Sequence, residues 1–170
     1  ASPDFFMYNT IMTIKSWTDY FLDMAKTCSS RSNCLRAQVG AVIVGEDKKI
    51  KATGYNGTPS KVESCYERGS CYRMDNNIPS GTCYETCRSI HAEQNAICQA
   101  ARRGIALDGA TLYCKMTPCR TCAMMIINCG IKRVVCQMKY HAGKDSEQMF
   151  AQAGVELDFF YDEVLKYDKQ

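Results

Sequence analysis

Apolar residues recur at helical spacing near the start of the chain and in short runs further on. The first pattern places four apolar residues on one face of a helix: Trp17, Phe21, Met24 and Cys28. With Ser16 or Thr18 available as a cap, this spacing predicts a helix over 16–29. The continuous apolar run 39–44 is typical of a buried strand, and 50–53 predicts an antiparallel partner for it. The chain therefore opens with a helix and a hairpin.

Helical and strand patterns alternate in the second half of the chain. The pattern predicts, in order, a helix from 91 to about 103, a strand over 110–115, a helix over 119–128, a strand over 133–137, a loop over 139–143, a helix over 145–153 and a strand over 155–160. Gly104, Gly130 and Gly154 provide the helix stop signals. This order, after a hairpin, predicts an α/β protein of three layers (α/β/α) with a mixed five-stranded sheet. Both candidate site turns would then fall at carboxyl ends of strands, where open α/β sheets bind ligands.

The segment 60–88 lacks periodicity and is rich in cysteine. A loop of this length in a small domain is usually functional or held by cross-links. The segment contains four cysteines. Together with the earlier Cys34, they suggest a second, structural zinc site. The favoured ligands are Cys34, Cys65, Cys71 and Cys87, with free thiols as the alternative.

Composition excludes several classes of protein. The 170 residues, 46% hydrophobic and 23% charged, indicate a single globular domain over 1–170. We find no long apolar run and no basic leader, so we expect a soluble protein of the cytoplasm, or of the host cytoplasm if viral. Residues 1–15 are interpreted as a cloning remnant or flexible N-terminus, with Met7 or Met12 as native start. The twelve cysteines favour metal binding in a reducing compartment over a disulfide scaffold.

Charge argues against nucleic acid as a partner. The formal net charge is only +3, and the basic residues are spread among acidic ones instead of forming a stripe. A small phosphorylated substrate fits this distribution better.

Two short motifs carry the candidate chemistry. His91-x-Glu93 begins one predicted helix, and Pro118-Cys119-x-x-Cys122 begins another; together they form the known signature of zinc nucleobase deaminases. A catalytic zinc takes three protein ligands and leaves its fourth position to water. His91, Cys119 and Cys122 meet that count.

Local sequence supports this interpretation. Thr117 is a good N-cap, Pro118 suits a first helical position, and Ser89 plays a similar capping part before His91. Glu93 is free to take a proton from a metal-bound water and return it to the base and the leaving ammonia. Separately, each motif has a simpler explanation, because a single C-x-x-C arises by chance or in structural sites and a lone histidine usually packs.

Five segments together resemble the deoxycytidylate (dCMP) deaminases, within the zinc-dependent cytidine/deoxycytidylate deaminase family. They are Cys34-x-Arg36-x-x-Val39-Gly40-Ala41, Gly54-Tyr55-Asn56-Gly57, Cys87-Arg88-Ser89-Ile90-His91-Ala92-Glu93-x-Asn95-Ala96-Ile97, Thr117-Pro118-Cys119-x-x-Cys122 and Lys139-Tyr140-His141. The resemblance covers about residues 16 to 160. It implies the cytidine deaminase-like fold and hydrolysis of dCMP to dUMP and ammonia, the supply route to thymidylate.

The same resemblance assigns a substrate site. It places Arg36 at the 5′-phosphate, Asn56 at the sugar or base, Thr117 and Pro118 beside the substrate, and Tyr140 on the face of the pyrimidine. Arginine forks suit phosphate, and aromatic rings suit bases. Arg36 as a surface charge and Tyr140 as a packing ring are the alternatives.

Regulation is a further implication of the resemblance. Many members are hexamers activated by dCTP and inhibited by dTTP, with Mg²⁺ accompanying the triphosphate. The effector would bind near Gly54, Tyr55, Gly57, Asn95 and Arg102, at a subunit contact.

Three competing functions remain open at this point. The chain could deaminate another free pyrimidine nucleotide or nucleoside, although nucleoside deaminases more often carry cysteine at position 91. A tRNA adenosine deaminase would need a basic face. A non-catalytic, zinc-stabilised interaction module would not need Glu93.

Overall fold

The computed structural model describes residues 13–165, and the suggested start sites Met7 and Met12 lie outside them. Its helices and strands, in chain order, are α1 (Trp17–Ser29), β1 (Gly40–Val44), β2 (Ile50–Tyr55), α2 (Cys65–Arg68), α3 (Tyr72–Asp75), a 3₁₀ turn (Tyr84–Thr86), α4 (Ala92–Arg102), β3 (Thr111–Met116), α5 (Arg120–Asn128), β4 (Arg133–Tyr140), α6 (Lys144–Ala153), β5 (Glu156–Phe159) and β6 (Val164–Leu165). Within this part of the chain, no helix has the length and apolar character needed to span a membrane.

One mixed sheet organises the molecule, with strand order β2-β1-β3-β4-β5. β1 is antiparallel to both β2 and β3, whereas β3, β4 and β5 run parallel. The short β6 adds beside the end of β4. The predicted hairpin followed by parallel strands is therefore confirmed, with β6 as an addition.

Helices cover both faces of the sheet, which confirms the three-layer prediction. Within residues 13–165, α1 is the helix that covers one face, where Phe21 and Ala25 pack against an apolar patch of four strand residues: Val42, Val44, Tyr113 and Val135. On the other face α4 lies over β1 and β2, while α6 packs against α5 and β5. Every residue of β1 is buried, as expected for a central strand that is covered on both faces.

α1 begins where the sequence predicts. Ser16 caps it, because its hydroxyl accepts a hydrogen bond from the Asp19 backbone N–H at 3.1 Å. Its last two turns press closely on β1: a β-carbon on Gly40 would lie 1.9 Å from the Ala25 carbonyl oxygen. Only glycine allows this approach of helix to strand.

The irregular segment between β2 and α4 forms a loop whose two ends are hydrogen bonded to each other. Gly57 and Ile90 exchange two backbone hydrogen bonds at its base, of 3.2 and 2.9 Å. Within it, α2 starts in a capping box between Ser64 and Glu67. The prediction of an irregular but tethered segment agrees with this arrangement.

Two element ends differ from the predictions. β2 continues through Gly54 and Tyr55, two residues beyond the predicted strand over 50–53. β4 continues to Tyr140, because Lys139 donates its backbone N–H to Glu163 and β6 pairs with the strand end. The predicted loop over 139–143 was therefore wrong for its first two residues, since their partner comes from the distant C-terminal segment.

Candidate active site

The first turn of α4 presents His91 and Glu93. His91 is the N-cap residue, and its backbone N–H donates to the Gln94 side-chain oxygen at 2.9 Å. The expected capping role of Ser89 is wrong. Its buried hydroxyl has no hydrogen-bond partner within residues 13–165, and Gln94 supplies the local bond instead.

The first turn of α5 presents the two cysteines. Cys119 is the N-cap residue, and Cys122 lies one turn further on. The predicted N-cap Thr117 instead accepts a hydrogen bond from the Tyr140 backbone N–H at 3.1 Å. Thr117 thus ties the end of β3 to the end of β4, and the N-cap of the helix lies two residues later than predicted, at Cys119.

These two helix starts bring three metal-binding side chains together. His91 Nδ1 lies 3.4 Å from the Sγ atoms of both Cys119 and Cys122, and all three ligand atoms lie within 4.8 Å of one another. A tetrahedral zinc with Zn–N near 2.0–2.1 Å and Zn–S near 2.3 Å needs N···S separations of about 3.5 Å. The residues therefore fit a zinc ion with three protein ligands.

The Cys119 and Cys122 thiols are hydrogen bonded to each other, and this bond favours the binding of a metal cation. A hydrogen bond from Cys122, with help from His91, lowers the pKa of Cys119 to about 4. The same bond, together with burial, raises the pKa of Cys122. One thiolate is therefore present at neutral pH, and only the second must lose a proton when a metal binds.

Glu93 lies beside these ligands but outside the group of three. Its side chain is buried, with 5% of its surface exposed, and burial raises the pKa of the carboxyl. A carboxyl whose charged form is disfavoured accepts protons readily. Next to a metal-bound water, it can act as a general base and then as a general acid.

Comparison with known proteins agrees with this geometry. The family model of the cytidine and deoxycytidylate deaminase zinc-binding region matches residues 15–138. The chain belongs to this deaminase family. Its fold and its metal-binding group are those that the sequence predicted for the family.

Relatives of the family include named deoxycytidylate deaminases. The one from Schizosaccharomyces pombe is 40% identical over 142 residues, which cover 84% of this chain and 43% of the yeast protein. The one from Mus musculus is 33% identical over 160 residues, covering 90% of this chain and 83% of the mouse protein. This chain thus spans less than half the length of the yeast relative.

A solved structure is also similar. The crystal structure of dCMP deaminase from the cyanophage S-TIM5 in complex with dCMP and dUMP matches with a TM-score of 0.68 and 31% identity. The match covers 87% of this chain and 99% of the phage chain.

A cavity of about 130 Å³ opens onto His91 and Glu93. Four of the five predicted substrate residues line it: Arg36, Asn56, Thr117 and Tyr140. The fifth, Pro118, is fully buried and is not among the lining residues. A substrate role for Pro118 stays a prediction.

Asn56 supports the cavity wall through its amide group. Its oxygen accepts from the Val39 backbone N–H, and its nitrogen donates to the Ala37 carbonyl, both at 2.8 Å. Since both ends of the amide hold the segment that follows Arg36, Asn56 positions that segment.

Sequence reasoning missed the wall contributed by the segment between β2 and α4. Arg73 is 5% exposed, and its guanidinium donates to the carbonyls of Cys83 at 2.6 Å and Pro79 at 2.9 Å. It also lies over the Tyr84 ring, 5.7 Å from the ring centre. Arg73 therefore holds the turn that faces the metal site, which no local pattern around it indicates.

Two aromatic hydroxyls complete this wall. Tyr84 packs edge-on against the His91 ring at 5.3 Å, and Ser80 is hydrogen bonded to the Tyr140 hydroxyl at 2.7 Å. Burial and a hydrogen bond with Tyr140 raise the pKa of Tyr84, so its hydroxyl stays protonated at neutral pH. The wall therefore presents protonated hydroxyls to the cavity beside the cationic Arg73.

The four cysteines of the suggested second zinc site lie near one another. Burial raises the pKa of Cys65, and the neighbouring thiols of Cys71, Cys34 and Cys87 raise it further. Within residues 13–165, however, these four thiols do not form a group of ligand atoms as close as that of His91, Cys119 and Cys122.

The residues suggested for effector binding surround another cavity, of about 410 Å³. Tyr55, Gly57, Asn95 and Arg102 line it, and Asn95 donates a hydrogen bond to the Tyr55 carbonyl at 2.9 Å. Gly54 is instead buried beneath α4 and does not line this cavity.

Proposed function

We propose that this chain deaminates dCMP to dUMP and ammonia in a zinc-dependent reaction. The observation that carries the proposal is a buried Glu93 beside a ligand group of one histidine and two cysteines. A purely structural metal site would not need a buried carboxyl next to it. Because burial of a carboxyl costs stability, its position beside the ligands favours a chemical role. The dCMP and dUMP complex of the phage relative and the names of the yeast and mouse relatives support the substrate.

His91, Cys119 and Cys122 would hold the zinc ion. A zinc ion held there would supply a water molecule of lowered pKa as the nucleophile for C4 of the cytosine ring. Glu93 takes a proton from this water and delivers it to the ring nitrogen N3. Glu93 then carries the second proton to the amino group, which leaves as ammonia when the C4–N bond breaks.

Arg36 is proposed to bind the 5′-phosphate, since a guanidinium offers paired donors to phosphate oxygens. The Tyr140 ring, fixed by Ser80, is proposed to lie against the pyrimidine. Thr117 lines the cavity between them and the metal ligands. Asn56 is proposed to contact the sugar or base of the nucleotide from the cavity wall, where its amide also holds the 37–39 segment.

Regulation is proposed at the second cavity described above. Lys51, Arg102 and Arg103 line it and would neutralise a triphosphate such as dCTP or dTTP carried with Mg²⁺. By family resemblance this site lies at a subunit contact of a hexamer. The length and composition of the chain suggest a single deaminase domain, which we propose acts in the cytoplasm.

A second, structural zinc remains a proposal for Cys34, Cys65, Cys71 and Cys87. The proximity of the four thiols supports it, and their sulfur atoms would have to come closer together to bind the ion. Zinc counting by native mass spectrometry decides it: two ions per chain support the site, and one ion per chain with an ordered segment rejects it.

The function is tested by ammonia release from dCMP, CMP, cytidine and deoxycytidine, each alone, with dCTP and Mg²⁺, and with dTTP and Mg²⁺. We expect selective deamination of dCMP, raised by dCTP and lowered by dTTP. Activity restricted to nucleosides would indicate the alternative of a free pyrimidine nucleoside deaminase. Complete inactivity of a zinc-loaded protein would support a non-catalytic interaction module.

A further inference from the structure

A third cavity lies on the opposite side of the loop that carries Arg36. Its volume is about 700 Å³, and it is bounded by the last turns of α1, residues 32–38 and the ends of β3 and β4. Three of its lining residues are cationic, namely Lys26, Arg36 and Lys115, and none is acidic. In a chain with 18 acidic residues, such a one-sided lining creates a positive potential inside the cavity.

Lys115 is the residue at the centre of this argument. It lies two positions after Tyr113 on β3, so its side chain projects from the same face of the sheet as that buried ring. Lys115 is half-buried, burial lowers the pKa of its ammonium, and no ion pair compensates it within residues 13–165. A partly desolvated cation without a counter-charge is costly, and an anion would relieve that cost.

The end of α1 does not provide the missing negative charge. Helix C-termini attract cations through their free carbonyl groups. Here the Lys26 carbonyl accepts from the Ser29 hydroxyl at 2.6 Å, and the Thr27 carbonyl accepts from the Ser30 hydroxyl at 2.7 Å. These two carbonyls at the end of α1 are therefore already engaged by the helix's own serines.

We propose that this cavity is a second anion site, separate from the metal centre, that binds a phosphoryl group between Lys115 and Lys26. Gln137, on the adjacent strand, lines the same wall and supplies a neutral donor. A phosphate dianion suits two ammonium groups and an amide better than a carboxylate does, because it presents three or more acceptor oxygens. Cys34, Arg36 and Ala37 line both this cavity and the metal-site cavity, so an occupant here contacts the active site through that loop.

Lysine footprinting of the zinc-loaded chain tests the site. Acetylation of Lys115 by an activated ester is followed by mass spectrometry with inorganic phosphate and with chloride at equal ionic strength. We expect phosphate to slow modification of Lys115 at least about fivefold while the exposed Lys49 reacts unchanged. Equal Lys115 rates in both salts would overturn the proposal. So would protection without phosphate that grows with protein concentration, because a second copy would then fill the cavity.

Thermal stabilisation by phosphate provides the second readout. Lys115→Met should raise the phosphate concentration that gives half-maximal stabilisation by at least about tenfold, as expected when a charge-assisted hydrogen bond is lost. Lys115→Arg should keep this midpoint unchanged. Lys49→Met is the matched control. Phosphate bound at the metal-site cavity contributes equally to all of these variants, so unchanged midpoints in Lys115→Met would reject the site. Neither readout requires deamination, so failure of this proposal and failure of the proposed function are distinguishable.

Two probes, inorganic phosphate and dAMP, distinguish free phosphate from a nucleotide as the source of the phosphoryl group. The exposed Tyr66 ring is a lining residue of the cavity and offers a stacking surface for a base. Equal protection by inorganic phosphate and dAMP would identify free phosphate as the ligand. A midpoint for dAMP at least about tenfold lower, abolished by Tyr66→Ala, would identify a nucleotide.

Discussion

Gly54 on β2 lies directly beneath the first turn of α4, against Ala92. A β-carbon at position 54 would sit 2.2 Å from the Ala92 carbonyl oxygen and 2.5 Å from the Ala96 backbone nitrogen. Because backbone atoms cannot rotate away, the strand sets how deeply this turn can pack. The turn carries His91 and Glu93, so the depth of packing also sets where the proposed catalytic groups lie.

Gly54→Ala is therefore expected to displace the start of α4. We expect the free energy of unfolding to fall by about 1–3 kcal/mol, as for other overpacked cores, together with weaker zinc binding and lower kcat. Chemical denaturation, zinc titration and deamination kinetics measure the three effects. Gly45→Ala is the control, because the added β-carbon there meets only flexible side-chain atoms of Asp47 and Lys51. Unchanged zinc affinity and kcat in Gly54→Ala would contradict the prediction.

Glu93→Gln separates chemistry from metal binding. The amide fills the same volume but cannot take a proton, so we expect kcat to fall by about 10²–10⁴-fold with zinc content unchanged. Stability should not decrease, since the substitution removes a buried acid whose charged form burial disfavours. Stopped-time ammonia assays and metal analysis check this. The exposed Glu85→Gln is the control, and a Glu93→Gln enzyme with near-normal kcat would remove Glu93 from the mechanism.

Removal of the metal should affect both activity and stability. The three ligands come from two helix starts, so zinc joins α4 to α5, and we expect a strong chelator to abolish deamination and lower Tm. Added zinc should restore both. Cys119→Ser should reproduce the loss, whereas the exposed Cys98→Ser should not. Full activity in a protein shown to be zinc-free would exclude the proposed mechanism.

The metal-binding group could be predicted from sequence because its residues follow local rules. His91, Cys119 and Cys122 stand at the starts of two regular helices, where residue type and spacing carry the information. The start of α1 at Ser16 was predictable for the same reason. These features depend on a few neighbouring residues and not on distant partners.

Other features depend on distant contacts and were missed or misplaced. Thr117 resembles a helix cap, but its hydroxyl meets Tyr140, which lies in a strand only because the C-terminal segment pairs with it. Arg73 stands in an aperiodic segment, and its partners at Pro79 and Cys83 are carbonyl groups that any residue carries. No side-chain pattern can reveal such partners.

Arg73→Met tests whether the aperiodic segment shapes the site. Loss of the guanidinium removes one donor from each of the Pro79 and Cys83 carbonyls, which keep their hydrogen bonds from the Thr82 and Thr86 hydroxyls. We expect the free energy of unfolding to fall by about 1–3 kcal/mol in total. We expect a higher KM for dCMP and a modest fall in kcat, because Tyr84 and Ser80 lose their support. Zinc content should stay unchanged. Arg68→Met, at an exposed position of α2, is the control, and wild-type kinetics in Arg73→Met would show that the wall is rigid without it.

Arg36→Ala tests the recognition of phosphate. We expect KM for dCMP to rise by about tenfold or more, while deamination of deoxycytidine, which lacks the phosphate, changes little. Steady-state kinetics on both substrates measure the difference, and Arg31→Ala, at an exposed position, is the control. An equal loss on nucleotide and nucleoside would refute the phosphate role.

The paired hydrogen bonds between Gly57 and Ile90 separate the segment between β2 and α4 from the rest of the fold. They bring both ends of the segment between β2 and α4 to one point, so its length can change without moving the strand or the helix it joins. The proposed metal ligands and Glu93 lie outside this segment, whereas the segment supplies part of the wall of the cavity beside them. A lineage, or an engineer, can therefore exchange the segment to alter substrate choice while inheriting the metal centre intact.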